Sequence, residues 1–84
     1  MNEKEAMQLI GNMGFYIDTL EIKNTGMIKN SEFSADSELF THKCFIIGGV
    51  GSNGIVFVID SVNGKVYESL GKGEDGKRKL VLKK

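Results

Sequence analysis

The stretch CFIIGGVGSNGIVFVIDSVNGKVYESL, residues 44–70, contains three apolar segments separated by two turn signals. Cys44 to Ile47 is followed by the glycine-rich GGVGSNG. Ile55 to Ile59 then sets five apolar residues in a row and ends on Asp60. The third segment, Lys65 to Leu70, follows Ser61-Val62-Asn63-Gly64. Asn-Gly is a favoured hairpin dipeptide, because glycine accepts a positive φ without a Cβ penalty. The pattern predicts a three-stranded meander over 43–48, 55–60 and 65–70. An unbroken apolar run at 55–59 suits a central strand covered on both faces. In the third segment Val66 and Glu68 face one way and Lys65, Tyr67 and Ser69 the other, which reads as a strand nearer the edge.

Upstream, Asn2 is placed to cap a helix, with Glu5 three residues on as its capping-box partner. Ala6, Leu9, Ile10 and Met13 share one helical face, and Met7 flanks it. Gly14 is suited to the left-handed conformation that stops a helix. A helix over 2–13, packed on the sheet through that stripe, is expected. Residues 15–43 are less regular. Ile17 to Lys23 and Met27 to Lys29 flank Asn24-Thr25-Gly26, which suggests a second hairpin. In SEFSADSELF, residues 31–40, Ser34 or Asp36 caps a short helical turn, or Phe33, Ala35 and Leu39 line an irregular strand. Residues 71–78, GKGEDGKR, read as a flexible loop. The end of the chain, 72–84, is either a flexible basic tail or a short last strand at Leu80-Val81-Leu82. The fold class expected is α+β, an N-terminal helix on a mostly antiparallel sheet, as a single domain over 1–84.

At 84 residues the chain suits one domain with a thin core. Cys44 is its only cysteine, so no internal disulfide forms, and a lone cysteine fits a reducing compartment. His42 and Cys44 alone are too few soft ligands for a structural zinc. The N-terminal MNEKEAMQLIG is acidic where a secretion signal is basic, and no apolar run is long enough to span a membrane. A cytoplasmic protein with no membrane partner and no cofactor is expected. The formal charge is zero, but residues 1–42 hold seven acids against three bases (−4) and residues 43–84 hold four against eight (+4). Such asymmetry produces a dipolar surface.

Each motif has to be weighed against its plainer meaning. Gly49-Val50-Gly51-Ser52-Asn53-Gly54 matches G-x-G-x-x-G, yet dinucleotide binding needs a helix to start at the loop. Here a β-branched run follows, so a hairpin turn is expected. His42 and Cys44 share a face if their segment is a strand, but their Cβ atoms would lie about 7 Å apart, too far for easy proton transfer. A small packed thiol is the expectation there. Lys72, Lys77, Arg78, Lys79, Lys83 and Lys84 stand against Glu74 and Asp75 without interleaved aromatics, so nucleic-acid binding through the end of the chain is weak at best.

Residues 48–68, GGVGSNGIVFVIDSVNGKVYE, resemble the central hairpin of the SUKH superfamily, many of whose bacterial members are immunity proteins that neutralise toxins. The matching positions are Gly51 to Gly54, Ile55 to Asp60, Gly64 and Val66-Tyr67. Members of that family usually run longer and often carry tryptophan and proline in their first half; this chain contains neither. The resemblance implies a non-enzymatic binder and carries no catalytic residue over. Together with the acidic first half, it points to an immunity-type or inhibitor protein. Such a protein would present Asp18, Glu21, Glu32, Asp36 and Glu38 to a basic partner, such as a toxin domain. The alternatives are a self-associating structural or regulatory module, dimerised through a sheet edge, and a weak nucleic-acid binder using the basic C-terminal end.

Overall fold

The computed structural model describes residues 1–83, and Lys84, the last of the basic residues above, lies outside them. The helix α1 (Glu3–Asn12) starts from a complete capping box. Asn2 Oδ1 accepts from the Glu5 N–H at 2.9 Å, and Glu5 Oε1 accepts from the Asn2 N–H at 3.0 Å. These bonds satisfy donors that a helix start otherwise leaves open. Gly14, at φ +95°, turns the chain away from the helix end.

Six strands follow: β1 (Leu20–Met27), β2 (Phe33–Ser34), β3 (Lys43–Gly49), β4 (Phe57–Asp60), β5 (Val66–Lys72) and β6 (Arg78–Leu82). Short 3-10 turns occupy Ile17–Thr19 and Ser37–Thr41. The sheet order is β1-β3-β4-β5-β6-β2, antiparallel throughout except for the parallel β2–β6 pair. This is the expected α+β architecture, with the 43–70 meander at its centre. No helix among the described residues is long and apolar enough to cross a membrane.

Every residue of β4 is buried, and the two faces of the sheet hold separate cores. Phe45, Ile47, Phe57, Ile59 and Val66 pack under Ala6 and Ile10 of α1. Val58, Tyr67, Leu80 and Cys44 pack under Ile28, Phe33 and Leu39. Those last three belong to residues 28–41, which carry the chain from the β1 edge to the opposite edge, where β2 joins β6.

Three expectations change, and two open alternatives are decided. Asn24-Thr25-Gly26 makes no hairpin, because β1 runs straight through it, pairing Leu20 with Gly49 and Met27 with Lys43. A continuous ladder on β3 satisfies more backbone than an isolated turn would, and a bulge at Lys23 accommodates the irregular segment. Strand β5 is no edge strand: it lies between β4 and β6, with Val66 feeding one core and Tyr67 the other. Over 71–78 the flexible loop shrinks to a tight turn. Gly73 donates to the Lys77 carbonyl at 2.8 Å, Asp75 Oδ1 accepts from the Lys77 N–H at 3.0 Å, and Gly76 takes φ +77°. The basic end is therefore the last strand, β6, through Leu82. Residues 31–40 combine both suggestions, since Phe33 starts a two-residue strand and Asp36 precedes the 3-10 turn.

The glycine-rich turn between β3 and β4 is closely packed. A Cβ on Gly48 would collide with the Gly54 carbonyl oxygen, which is backbone and cannot swing aside. Gly48→Ala is therefore expected to destabilise the fold by about 2 kcal/mol. Urea denaturation should show a lower midpoint with an unchanged slope.

Candidate functional site

The five acids expected at a binding surface fall into two groups. Glu32, Asp36 and Glu38 are exposed on the segment that covers the second core, and that segment is pinned inward by Phe33, Leu39, Ala35 and Phe40. Its backbone is also tied. Arg78 N–H donates to the Glu32 carbonyl at 2.9 Å, Leu39 N–H to the Asp36 carbonyl at 3.0 Å, and Thr41 Oγ1 to the Glu38 carbonyl at 2.6 Å. With apolar side chains committed to the core, the carboxylates can only face solvent. Among the described residues none of the three has an ion-pair partner. Their field reaches inward: the Tyr67 phenol is pushed up first by burial, then by the charges of Asp36, Asp60 and Glu38.

Asp18 and Glu21 are not part of this strip. Glu21 sits opposite Gly48, whereas the strip ends beside the Lys43 end of β3, a separation of roughly 17 Å along the strand. Glu21 is also engaged, accepting from Lys23 Nζ at 2.8 Å and from the Gly51 N–H at 3.3 Å. The Lys23 hydrogen bond, then that of Gly51, then the Lys23 charge hold its carboxyl below the ordinary value. Asp18 is exposed in the Ile17–Thr19 turn.

Four backbone donors of the glycine-rich loop are occupied, those of Val50, Gly51, Ser52 and Gly54. Val50 N–H bonds the Thr19 carbonyl at 2.9 Å, Ser52 N–H the Gly49 carbonyl at 3.1 Å, and Gly54 N–H the Ser52 hydroxyl at 2.9 Å. Gly51 N–H already faces the Glu21 carboxylate, and the loop runs into β4 rather than a helix. A phosphate cradle needs free N–H groups and no competing anion.

His42 and Cys44 do not pair with each other. His42 Nδ1 lies 2.7 Å from Asp60 Oδ2, so against an ionised Asp60 the Nδ1–H is the donor. The Cys44 thiol is buried, directs its hydrogen at the Leu39 and His42 carbonyls at 3.6 and 3.5 Å, and is pushed up to about 11 by burial and then by the charge of Asp60. Nucleophilic cysteines show the reverse, a lowered value in an accessible position.

Asp60 is the residue that sequence reasoning passed over. Only 1% exposed, it ends β4, is the cross-strand partner of Cys44, and accepts from the Val62 N–H at 2.9 Å as well as from His42. An acid closing an apolar run three residues ahead of an Asn-Gly turn is the signal for such a cap.

No protein-family model, curated protein or solved structure matches this chain.

Burial works to raise the Asp60 carboxyl, but the hydrogen bonds from His42 and Val62, the charge of His42 and the Asn63 N–H outweigh it and hold it below its ordinary value. A carboxyl lowered on folding stabilises fully above its unfolded value, near 4, and the contribution disappears as the pH falls through the folded value. Asp60→Asn is expected to cost about 2–3 kcal/mol at pH 7. It should also flatten the loss of stability below about pH 4, as measured by urea denaturation across pH.

Proposed function

We propose that this protein is a non-enzymatic binder that neutralises another protein by covering a basic surface, with immunity against a toxin domain as the specific case. The observation that carries this reading is the strip Glu32, Asp36 and Glu38: three unpaired, exposed carboxylates among the described residues, on a segment whose apolar side chains pack into a core. A rigid anionic strip speeds encounter with a cationic partner, and contacts buried at the centre set the off-rate. Little ordering is lost on binding, because the strip is already fixed. The resemblance of 48–68 to the SUKH superfamily supports the immunity-type role, and a buried lone cysteine suits a cytoplasmic setting. Asp18 and Glu21, at the far end of β3, extend the acidic surface to a partner large enough to reach them.

Self-association is the second reading, favoured by the position of β1. It lies at the sheet edge for eight residues, and Met27 is 56% exposed at its end. Set against this are the Lys23 bulge and the Asn24 side chain, which accepts from the Thr25 N–H at 2.9 Å. Bulges and edge lysines are devices that blunt strand edges.

Co-expression with the product of the gene beside its own is expected to give a complex whose association slows with salt. The triple variant Glu32→Lys, Asp36→Lys, Glu38→Lys should weaken it about tenfold or more, chiefly through the on-rate. A complex that ignores both salt and the triple variant would count against the electrostatic mechanism. A concentration-dependent dimer in light scattering would favour the β1 edge instead.

A further inference from the structure

Strands β5 and β6 are out of step at one point. Ser69 lies opposite Leu80 and Lys72 opposite Arg78, so three steps along β5 match two along β6. Gly71, at φ +89°, sits within this bulge. Because side chains alternate between faces, an extra residue reverses the face of whatever follows it. Without the bulge Lys72 would point away from Arg78. With it the two cations stand directly opposite on one face, an arrangement that destabilises an antiparallel pair. Neither has an ion-pair partner among the described residues, and Arg78 is half-buried.

On the far side of Arg78 comes Phe33, its partner in the parallel β2–β6 pairing. Lys72, Arg78 and Phe33 thus form a row across three strands. With Ser31, Glu32, Ile55 and Gly76 they line an open groove of about 320 Å³. Phe33 of the second core and Ile55 packed against it lie at the base of the groove, and Lys72, Arg78 and the Glu32 carboxylate stand around its polar rim. Strand alternation sends Lys77 and Lys79 to a separate recess beside Glu74 and Asp75. One register pair inward from Lys72 and Arg78, Ser69 Oγ is buried with no hydrogen-bond partner among the described residues. Buried hydroxyls seldom stay unpaired.

We infer that this groove binds a small organic oxyanion, a phosphomonoester or carboxylate on a compact apolar body. The planar Arg78 guanidinium and the Lys72 ammonium take the oxyanion through charge-assisted hydrogen bonds. The apolar body lies over Phe33 and Ile55. Glu32 on the rim repels additional negative charge, which selects a single anionic group over a polyanion. The volume is at the lower end for small-molecule sites. The groove shares Glu32 with the proposed acidic binding strip, but Asp36 and Glu38 take no part in it, and Lys72 and Arg78 lie outside the strip.

The test is a titration of the isotope-labelled chain with phenyl phosphate, with benzoate and with uncharged phenol, followed through backbone amide resonances. Phenyl phosphate or benzoate is expected to produce saturable shifts at Glu32, Phe33, Ile55 and Arg78, with Kd on the order of 1 mM or tighter. The stronger of the two identifies the oxyacid. Lys72→Gln and Arg78→Gln should each weaken binding about tenfold, the size of one lost charge-assisted hydrogen bond. Lys72 is exposed, so its variant keeps the fold, and the amide spectrum verifies this. Absence of saturable shifts, equal shifts with phenol, or unchanged affinity in the Lys72→Gln variant overturns the inference.

Discussion

Strand β4 imposes the constraint on which the rest of the molecule depends. Phe57, Val58, Ile59 and Asp60 are all buried, so apolar side chains leave the strand on both faces and each face needs its own cover. A capped amphipathic helix supplies one cover through Ala6 and Ile10. The other is irregular, the 28–41 crossover, which contributes Ile28, Phe33 and Leu39. That crossover contains little regular structure, yet it is as much a part of the core as the helix. Its acids face outward because its apolar residues face inward, so the candidate binding strip is a consequence of how the second face is closed.

The end of β4 poses a different problem, a carboxylate with almost no exposure. It is solved by full satisfaction: His42 and the Val62 N–H occupy its two oxygens. Asp60 thereby joins the entrance of β3 to the turn that leads into β5. The charge left there also acts on its neighbours. Cys44 and Tyr67 of the second core are both pushed up first by burial; the Asp60 charge comes next for Cys44, and follows that of Asp36 for Tyr67. A cysteine, a histidine and an aspartate lie close together: the His42–Asp60 hydrogen bond joins two of them, and the Cys44 thiol points at the Leu39 and His42 carbonyls.

Irregularities in the ladders also have identifiable effects. The bulge at Lys23 lies on an exposed edge, where it interrupts the row of groups that another strand would pair with. The bulge before Lys72 lies inside the sheet, where it blunts no edge and instead turns a lysine onto the face of Arg78. Neither bulge can be read from composition, because each depends on which residue of the neighbouring strand lies opposite.

By itself the sequence determined the pieces whose causes are local. The Asn2–Glu5 capping box, the Ala6-Ile10 stripe, the Asn63-Gly64 turn and the two-sided strand within 55–60 all depend on residues within a few positions of one another; the first three appear where the pattern put them, and the strand starts two residues late, at Phe57, leaving Val56 exposed. Pairing beyond neighbouring strands belonged to the tertiary structure. That includes the straight course of β1 through Asn24-Thr25-Gly26, the recruitment of the basic end as β6, the separation of Asp18 and Glu21 from the Glu32–Glu38 strip, and the meeting of His42 with Asp60. Strand register and the choice of cover for a buried face are decided by which distant segments satisfy the most backbone and bury the most apolar surface together. That competition runs over the whole chain and leaves no mark in any short window of it.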